Sequence, residues 1–204
     1  MKYRSLVRQT QPTVEPVTLS EAKAHLRVDS TDDDAYIAGL VRAAREWVEE
    51  YLDRTLVTTQ WVMRFDKFPA DSTADIELPR PPMATSGTAT AVTVAYTLED
   101  GSTATYSTNL FRVDRASTPG AVKTNYGQTW PPHRQDDNSV SVTWWAGYGA
   151  SGSDVPAAIR HAMLMLCSHW YETRGPMAAS GASSREVPYA ISSLLDSVRW
   201  GTYR

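Results

Sequence analysis

Hydrophobic residues recur every three or four positions from Asp32 to Asp53, and this spacing predicts a long amphipathic helix. Three consecutive aspartates, 32–34, supply an N-cap and negative charge at the helix start, where the helix dipole favours it. Arg45 and Glu49 lie mostly off the apolar stripe and are spaced i,i+4, so they are expected to pair across one turn. A stripe that carries Trp and Tyr needs a large covering surface, so we expect this helix to be the centre of a helical layer, and we call it the hub helix. The stripe consists of Tyr36, Ile37, Leu40, Val41, Ala44, Trp47, Val48, Tyr51 and Leu52.

The segment before this helix divides into an arm and a short helix. Residues 1–16 show no periodicity that could bury a face, so they are predicted to form an extended arm that is flexible unless a partner holds it. Thr18 and Glu21 then form a Thr-x-x-Glu capping box, which predicts a helix that runs to about Leu26.

After Arg54 the hydrophobic pattern changes to strict alternation and keeps it for about ninety residues. About seven short strands are predicted, with an Asp-Gly hairpin turn at Asp100 and Gly101. Neighbouring Trp144 and Trp145 would point to opposite faces of their strand. This pattern predicts an antiparallel β lobe, either a sandwich or a small barrel.

The helical pattern returns from Asp154 to Arg174 and again from Pro188 to Arg199. Between these two helices, Gly175–Val187 is small, polar and aperiodic and is predicted to be a mobile loop. Neither helical half has a core of its own, so the two halves must meet in space. The predicted fold class is α+β, a small bundle of about four helices with an inserted antiparallel β lobe. The predicted domains are 1–54 and 151–204 for the helices and 55–150 for the β lobe.

Composition excludes several classes of protein. The formal net charge of −3 and the pI of about 5.8 do not suit a protein that coats DNA. The single cysteine, Cys167, allows no disulfide within one chain. Neither a signal peptide nor a membrane span is evident, so we expect a soluble protein that is made in the cytoplasm and has no contact with membrane.

The residues that could carry chemistry do not combine into a site. His161 and His169 are about 12 Å apart along one helix, too far to bind one metal ion directly. The pair His169 and Glu172 lacks a second such pair on another helix. No nucleophile elbow, phosphate-binding loop or calcium loop is present. The sequence therefore predicts neither an enzyme, nor a cofactor, nor a metal site.

Interaction surfaces are better supported. The chain has seven tryptophans, and Trp-rich surfaces tend to be contact surfaces. The basic arm and the C-terminal segments are the parts expected to become ordered when a partner docks. The candidate contact residues are Lys2, Arg4, Arg8, Trp47, Tyr51, Trp170, Arg174, Trp200, Tyr203 and Arg204.

Fragments in a fixed order and spacing carry a family resemblance over nearly the whole chain. With these fragments, the sequence resembles the tailed-phage head–tail connector proteins, the adaptor or head-completion group that includes relatives of the phage phiE125 head-proximal protein. The fragments are residues 15–28 (EPVTLSEAKAHLRV), 32–37 (DDDAYI), 45–51 (REWVEEY), 78–82 (LPRPP), 126–131 (YGQTWP), 146–149 (AGYG), 155–160 (VPAAIR) and 169–172 (HWYE).

The resemblance implies a structural role without catalysis. Proteins of this group assemble as a ring, usually of twelve copies, under the portal of the virion. The ring extends the DNA channel, through which DNA passes without specific binding, and it docks the next neck or tail-completion protein. The hub helix and the helix from Asp154 to Arg174 would form the wall of the ring. The β lobe would face outward or toward a neighbouring subunit. An isolated subunit could still be monomeric, because ring closure often waits for the portal.

Two other functions stay open at this point. A carbohydrate-binding or tail-associated module would use tryptophans of the β lobe to stack on sugars, and it predicts surface Trp residues along a shallow groove. An undetected hydrolase would need histidines and carboxylates that converge on one point. The connector hypothesis predicts instead assembly with a portal.

Overall fold

The computed structural model describes residues 2–71, 74–85, 91–173 and 189–199. The chain divides into two compact units, and the polypeptide passes between them three times. One unit comprises residues 13–57 and 149–204, and we call it the helical unit. The other comprises residues 1–12 and 58–148, and we call it the β unit.

Four helices build the described part of the helical unit: α1 (Leu19–Leu26), α2 (Asp34–Leu52), α3 (Ala157–Glu172) and α4 (Tyr189–Asp196). The α2 helix packs on α3, α1 contacts both of them, and α4 packs mainly on α3. Five residues of the predicted α2 stripe are buried in this core, whereas Tyr36 at its start is 38% exposed. The pairing of α2 with α3 agrees with the expectation from the sequence. The buried core residues of the four helices are Ala22, Ile37, Val41, Ala44, Val48, Leu52, Ile159, Ala162, Met163, Leu166, Cys167, Ile191 and Leu195.

The start of α1 is fixed by a local capping signal, whereas the aspartates at the start of α2 contact other helices. At α1, Thr18 and Glu21 form the predicted capping box. At α2, Asp33 occupies the N-cap position, but its side chain makes no cap hydrogen bond. Its carboxylate instead accepts from Tyr171 Oη on α3 at 2.6 Å, and Asp34 pairs with Lys23 of α1 at 2.6 Å. These two aspartates therefore join helices, which the capping prediction did not foresee.

The described residues of the β unit form two antiparallel sheets. The larger has the strand order β1-β2-β8-β4-β5 and the smaller the order β3-β7-β6. The strands are β1 (Ser5–Arg8), β2 (Thr59–Phe65), β3 (Ile76–Leu78), β4 (Thr93–Thr97), β5 (Thr103–Thr105), β6 (Phe111–Asp114), β7 (Gly120–Thr124) and β8 (Val140–Ala146). The predicted α+β class, with helices and an antiparallel β lobe, is confirmed, and the strands of the described ranges do not close into a barrel.

Strand β8 lies in the middle of the larger sheet and shows the alternation most clearly. Val140, Val142, Trp144 and Ala146 are fully buried, whereas the residues between them are half-buried. Trp144 and Trp145 therefore occupy opposite faces, as their adjacent positions in a strand require. Trp144 is part of a core of large apolar residues from both sheets, including Met63, Phe65, Ile76, Leu78, Val94 and Val122.

The N-terminal segment differs from the prediction. Residues 1–16 were expected to form an arm, and residues 1–54 were grouped with the helices. In the structure, residues 1–12 belong to the β unit, because β1 pairs with β2 from Ser5 opposite Arg64 to Arg8 opposite Trp61. A four-residue strand is too short for periodicity to reveal, and its partner lies more than fifty residues away in the chain.

Candidate interaction surfaces

A buried ion cluster holds the helical unit together. Arg45 on α2 donates from Nε to Glu15 Oε2 at 2.7 Å and from Nη1 to Glu49 Oε2 at 3.0 Å. The other oxygen of Glu49 accepts from the backbone N–H of Leu56 at 2.9 Å. Arg45 and Glu49 are only 2% and 3% exposed. The predicted i,i+4 pair exists, but it lies in the interior instead of on the surface.

The charge balance of this cluster keeps Arg45 protonated. Burial lowers the pKa of Arg45, but the hydrogen bond to Glu15 and the negative charges of Glu15, Glu49 and Glu46 outweigh it, so the net shift is upward. Glu15 precedes α1 and Leu56 follows α2, so the cluster binds the segment before α1 and the segment after α2. It therefore fixes the segment that leads into α1 and the segment that leaves α2.

A second clamp acts on the same segment from α3. Arg160 donates from Nε to the carbonyl oxygen of Pro16 at 2.9 Å and forms an ion pair with Glu21. Gly152 approaches so closely that an added Cβ would lie 2.5 Å from the carbonyl oxygen of Glu15. A larger residue at position 152 would push this segment away. Residues 15–21 are thus held by α2, α3 and the loop that precedes α3.

Two of the predicted contact residues form an aromatic pair on α2. The rings of Trp47 and Tyr51 stack with their centroids 5.0 Å apart, and both side chains are half-buried. Tyr51 Oη donates to Asp196 at 2.8 Å, and the guanidinium of Arg199 lies 5.3 Å from the Tyr51 ring centroid. Burial raises the pKa of Tyr51, and the hydrogen bond to Asp196 adds to the shift. The pair therefore belongs to the edge of the α2–α4 contact.

The other predicted contact residues are dispersed. Trp170 is half-buried on α3. Lys2 and Arg4 are exposed in the β unit, where Arg4 pairs with Asp66 at 2.6 Å and Asp137 at 2.7 Å. Arg8 is held over the ring of Trp61 at 5.0 Å. Four candidates, Arg174, Trp200, Tyr203 and Arg204, and the predicted loop 175–187 lie outside the described residues.

The structure brings together one pair of histidines that the sequence did not indicate. The rings of His25 on α1 and His161 on α3 meet edge to face, with centroids 6.3 Å apart. Within the part of the chain that the structure describes, no three His, Cys, Asp or Glu side chains are grouped so that they could hold a metal ion. None of the described helices has both the length and the apolar character needed to cross a bilayer.

The fold is similar to that of chains in solved structures of gene transfer agent particles. A chain in a structure titled "Neck of empty GTA particle computed with C6 symmetry" matches with a TM-score of 0.74 and 21% identity, over 98% of this chain and 97% of that one. A chain in "Neck of native GTA particle computed with C12 symmetry" matches with a TM-score of 0.72 and 22% identity over the same shares. A chain in "Virion of native gene transfer agent (GTA) particle" gives 0.71 and 21%, again over 98% and 97%.

A family model matches part of the sequence. Residues 16–80 match the model of the family described as "Phage gp6-like head-tail connector protein". This range contains α1, α2, β2 and β3, and hence the capping box and the hub helix. No curated protein matches the chain. The resemblance to head–tail connectors that the sequence fragments indicated is confirmed.

Proposed function

We propose that this chain is a structural subunit of the head–tail junction of a tailed phage or phage-like particle. It assembles as a closed ring under the portal, extends the DNA channel and docks the next neck or tail component. The match of residues 16–80 to a head–tail connector family carries this proposal. The likeness of the fold to neck proteins over 98% of the chain supports it.

The helical unit suits a wall that must keep its shape while DNA moves past. The Arg45 cluster and the Arg160 clamp fix the segment before α1 on two helices. Because these groups are buried or multiply bonded, the helices resist sliding past one another. The formal charge of −3 implies few contacts to phosphate, so DNA passes through the lumen without specific binding.

The proposed assembly is a homo-oligomer with head-to-tail contacts. A heterologous interface closes into a ring when the rotation between subunits allows it. Two of the similar neck structures carry sixfold and twelvefold symmetry in their titles, and we propose twelve copies for this chain in the particle. Its partners are then the portal protein, its own copies and the next neck or tail-completion protein, and its role is structural and not catalytic.

The structure gives no support to the carbohydrate-binding alternative. That hypothesis needs tryptophans of the β lobe on a shallow exposed groove. Trp144 is fully buried, Trp61 is 7% exposed beneath the guanidinium of Arg8, and Trp130 stacks on Phe68 at 4.8 Å. Trp61 and Trp144 are part of the core of the β unit, and Trp130 packs against it.

Co-sedimentation with portal-bearing, tail-less heads tests the proposal. The purified chain should sediment with such heads and should stay in the supernatant with heads that lack the portal vertex. Equal recovery with both kinds of head, or no recovery with either, would contradict the proposal.

A further inference from the structure

The smaller sheet of the β unit has two outer strands, each hydrogen-bonded on one side. Strand β7 is central, and β3 and β6 pair with it from opposite sides. Both pairings are antiparallel, so β3 and β6 run in the same direction. An unpaired strand edge is a template for another strand unless it is covered or blocked.

The hydrogen-bond pattern identifies the backbone groups that face outward. The N–H of Asn125 donates to the carbonyl oxygen of Leu110 at 2.9 Å, which fixes the alternation of bonded and non-bonded pairs between β6 and β7. The peptide groups of Phe111 and Val113 then point away from β7. Phe111 is only 5% exposed and Val113 is half-buried, so Val113 offers the more accessible groups. By the same alternation, Glu77 presents its peptide groups on the outer edge of β3. Within the described ranges, these three residues have no hydrogen-bond partner for those groups.

Each edge carries one exposed charged side chain, and the two are of opposite sign. On one face of the sheet, Lys123 lies between Asp75, which it binds at 2.8 Å, and Arg112, its register partner on β6. Glu77 on β3 and Arg112 on β6 are exposed, and in the described part of the chain neither side chain has an ion-pair partner. The remaining carboxylate of β6, Asp114, is occupied by the backbone N–H groups of Ala116 and Ser117. These hydrogen bonds lower the pKa of Asp114, so it keeps its negative charge and β6 has no net positive charge. The complementary groups are two single side chains, Glu77 on the β3 edge and Arg112 on the β6 edge.

We propose that β3 of one copy pairs with β6 of the next copy, so that the small sheets join across the subunit interface. This inference rests on the proposed ring. In a ring of many copies, neighbours differ by a small rotation, so β3 of a neighbour approaches β6 nearly parallel to it. Main-chain hydrogen bonds form along the edge, and Glu77 of one copy meets Arg112 of the other.

A second copy fits these edges better than another partner does. A single bound peptide would need only one edge, whereas Glu77 on one edge and Arg112 on the other give the chain a complementary pair of charges toward a second copy. The contact is heterologous, as a ring requires. Strands of three and four residues provide only a few hydrogen bonds, so the contact is weak between free subunits and gains strength when a portal gathers them.

Charge exchange at the two edges tests the inference. Glu77→Arg alone or Arg112→Glu alone places like charges at every interface and should reduce the copies bound per portal-bearing head by at least about tenfold, because like charges that face each other across paired strands repel. The double variant restores an opposite pair and should recover binding to within about twofold of the wild type. Glu99→Arg, an exposed reversal in the β4–β5 turn, is the matched control and should bind as the wild type does. Circular dichroism verifies that each variant is folded.

The outcomes separate this inference from the proposed function. If the wild type binds portal-bearing heads and the single reversals bind equally well, the paired edges are wrong and the connector function stands. If the wild type itself does not bind, the connector function is wrong. If the single reversals fail and the double variant does not recover, the pairing of Glu77 with Arg112 is overturned.

Crosslinking provides a measurement that does not depend on charge. A Glu77→Cys, Arg112→Cys double variant, bound to heads and treated with a short bis-maleimide, should give a ladder of dimers, trimers and larger species. The native Cys167 is buried and should not react. Each single cysteine variant should remain uncrosslinked. Crosslinked dimers without larger species from the double variant would overturn the head-to-tail arrangement.

Discussion

Each unit fastens an N-terminal segment through ion pairs of one arginine with several carboxylates, but the surroundings of the two arginines are very different. In the helical unit, Arg45 holds Glu15 and Glu49, and its side chain is 3% exposed. In the β unit, Arg4 holds Asp66 and Asp137 at similar distances, and its side chain is 51% exposed.

The comparison shows that distance alone does not measure the importance of an ion pair. Removing one partner of a buried pair leaves an uncompensated charge in the interior. The two charges of an exposed ion pair are hydrated with or without the contact, so the pair contributes little to stability. Salt weakens the attraction further. The helical unit should therefore depend strongly on its cluster, and the β unit should depend instead on its apolar core.

The largest effect is expected from Glu49→Ala. This change leaves Arg45 without its most deeply buried partner and the N–H of Leu56 without an acceptor, so the free energy of unfolding should fall by about 3–5 kcal/mol. Urea denaturation followed by circular dichroism measures it. Glu46→Ala is the control, because Glu46 also contacts Arg45 but its side chain is 59% exposed. If Glu49→Ala lowers the free energy of unfolding as little as the control does, the stability of the helical unit does not depend on this cluster.

An intermediate effect is expected from the capping box of α1. Thr18→Ala removes the side-chain acceptor for the N–H of Glu21 and should cost about 1 kcal/mol in the same measurement. Ser20→Ala, two residues away and exposed, is a suitable control. A change of less than a few tenths of a kcal/mol would indicate that the Arg160 clamp alone sets this end of the helix.

The same box predicts a pH dependence. The backbone hydrogen bond from Thr18 holds the pKa of Glu21 below its ordinary value of 4.5, and the Thr18 hydroxyl and Arg160 add to the shift. Since the folded-state pKa is the lower one, this stabilisation is fully present above pH 4.5 and is lost as the pH falls through the folded-state pKa. The Glu21→Gln variant should therefore lose less stability than the wild type upon acidification. Equal acid slopes would contradict the assignment.

The smallest effect is expected from Arg4→Gln. The exposed ion pairs of Arg4 should contribute little, and added salt should abolish the difference from the wild type. The pKa of Asp66 is lowered first by the N–H of Asn138 and then by Arg4, so NMR titration of the variant should still find it below the ordinary range. A return of the pKa to the ordinary range, or a loss of stability comparable to that of Glu49→Ala, would remove the contrast between the two clusters.

Local patterns predicted most of the fold. The stripe from Tyr36 to Leu52 identified α2 and its buried face, and Thr18 with Glu21 identified the start of α1, because these signals act within one or two helical turns. The alternation of β8 likewise separated Trp144 from Trp145. Such features depend on near neighbours, which a single sequence displays.

Long-range partners decided the rest. The burial of Arg45 and Glu49 depends on Glu15 and on the N–H of Leu56, and helical spacing indicates neither. Strand β1 was not predicted, because its four residues show no periodic pattern of their own. They form a strand by pairing with β2. Among the candidate contact residues, the i,i+4 spacing of Trp47 and Tyr51 agrees with their observed stacking. The charged edges at Glu77 and Arg112 became visible only with the register of the small sheet.

The number of copies bound to each portal-bearing head tests the central claim most directly. Quantitative titration of heads with the labelled chain should reach a plateau of one ring, twelve copies per portal, and the plateau should not rise with further protein. Binding that never saturates, or a plateau well below a complete ring on heads with a demonstrated portal, would contradict the account of this chain as a ring-forming connector.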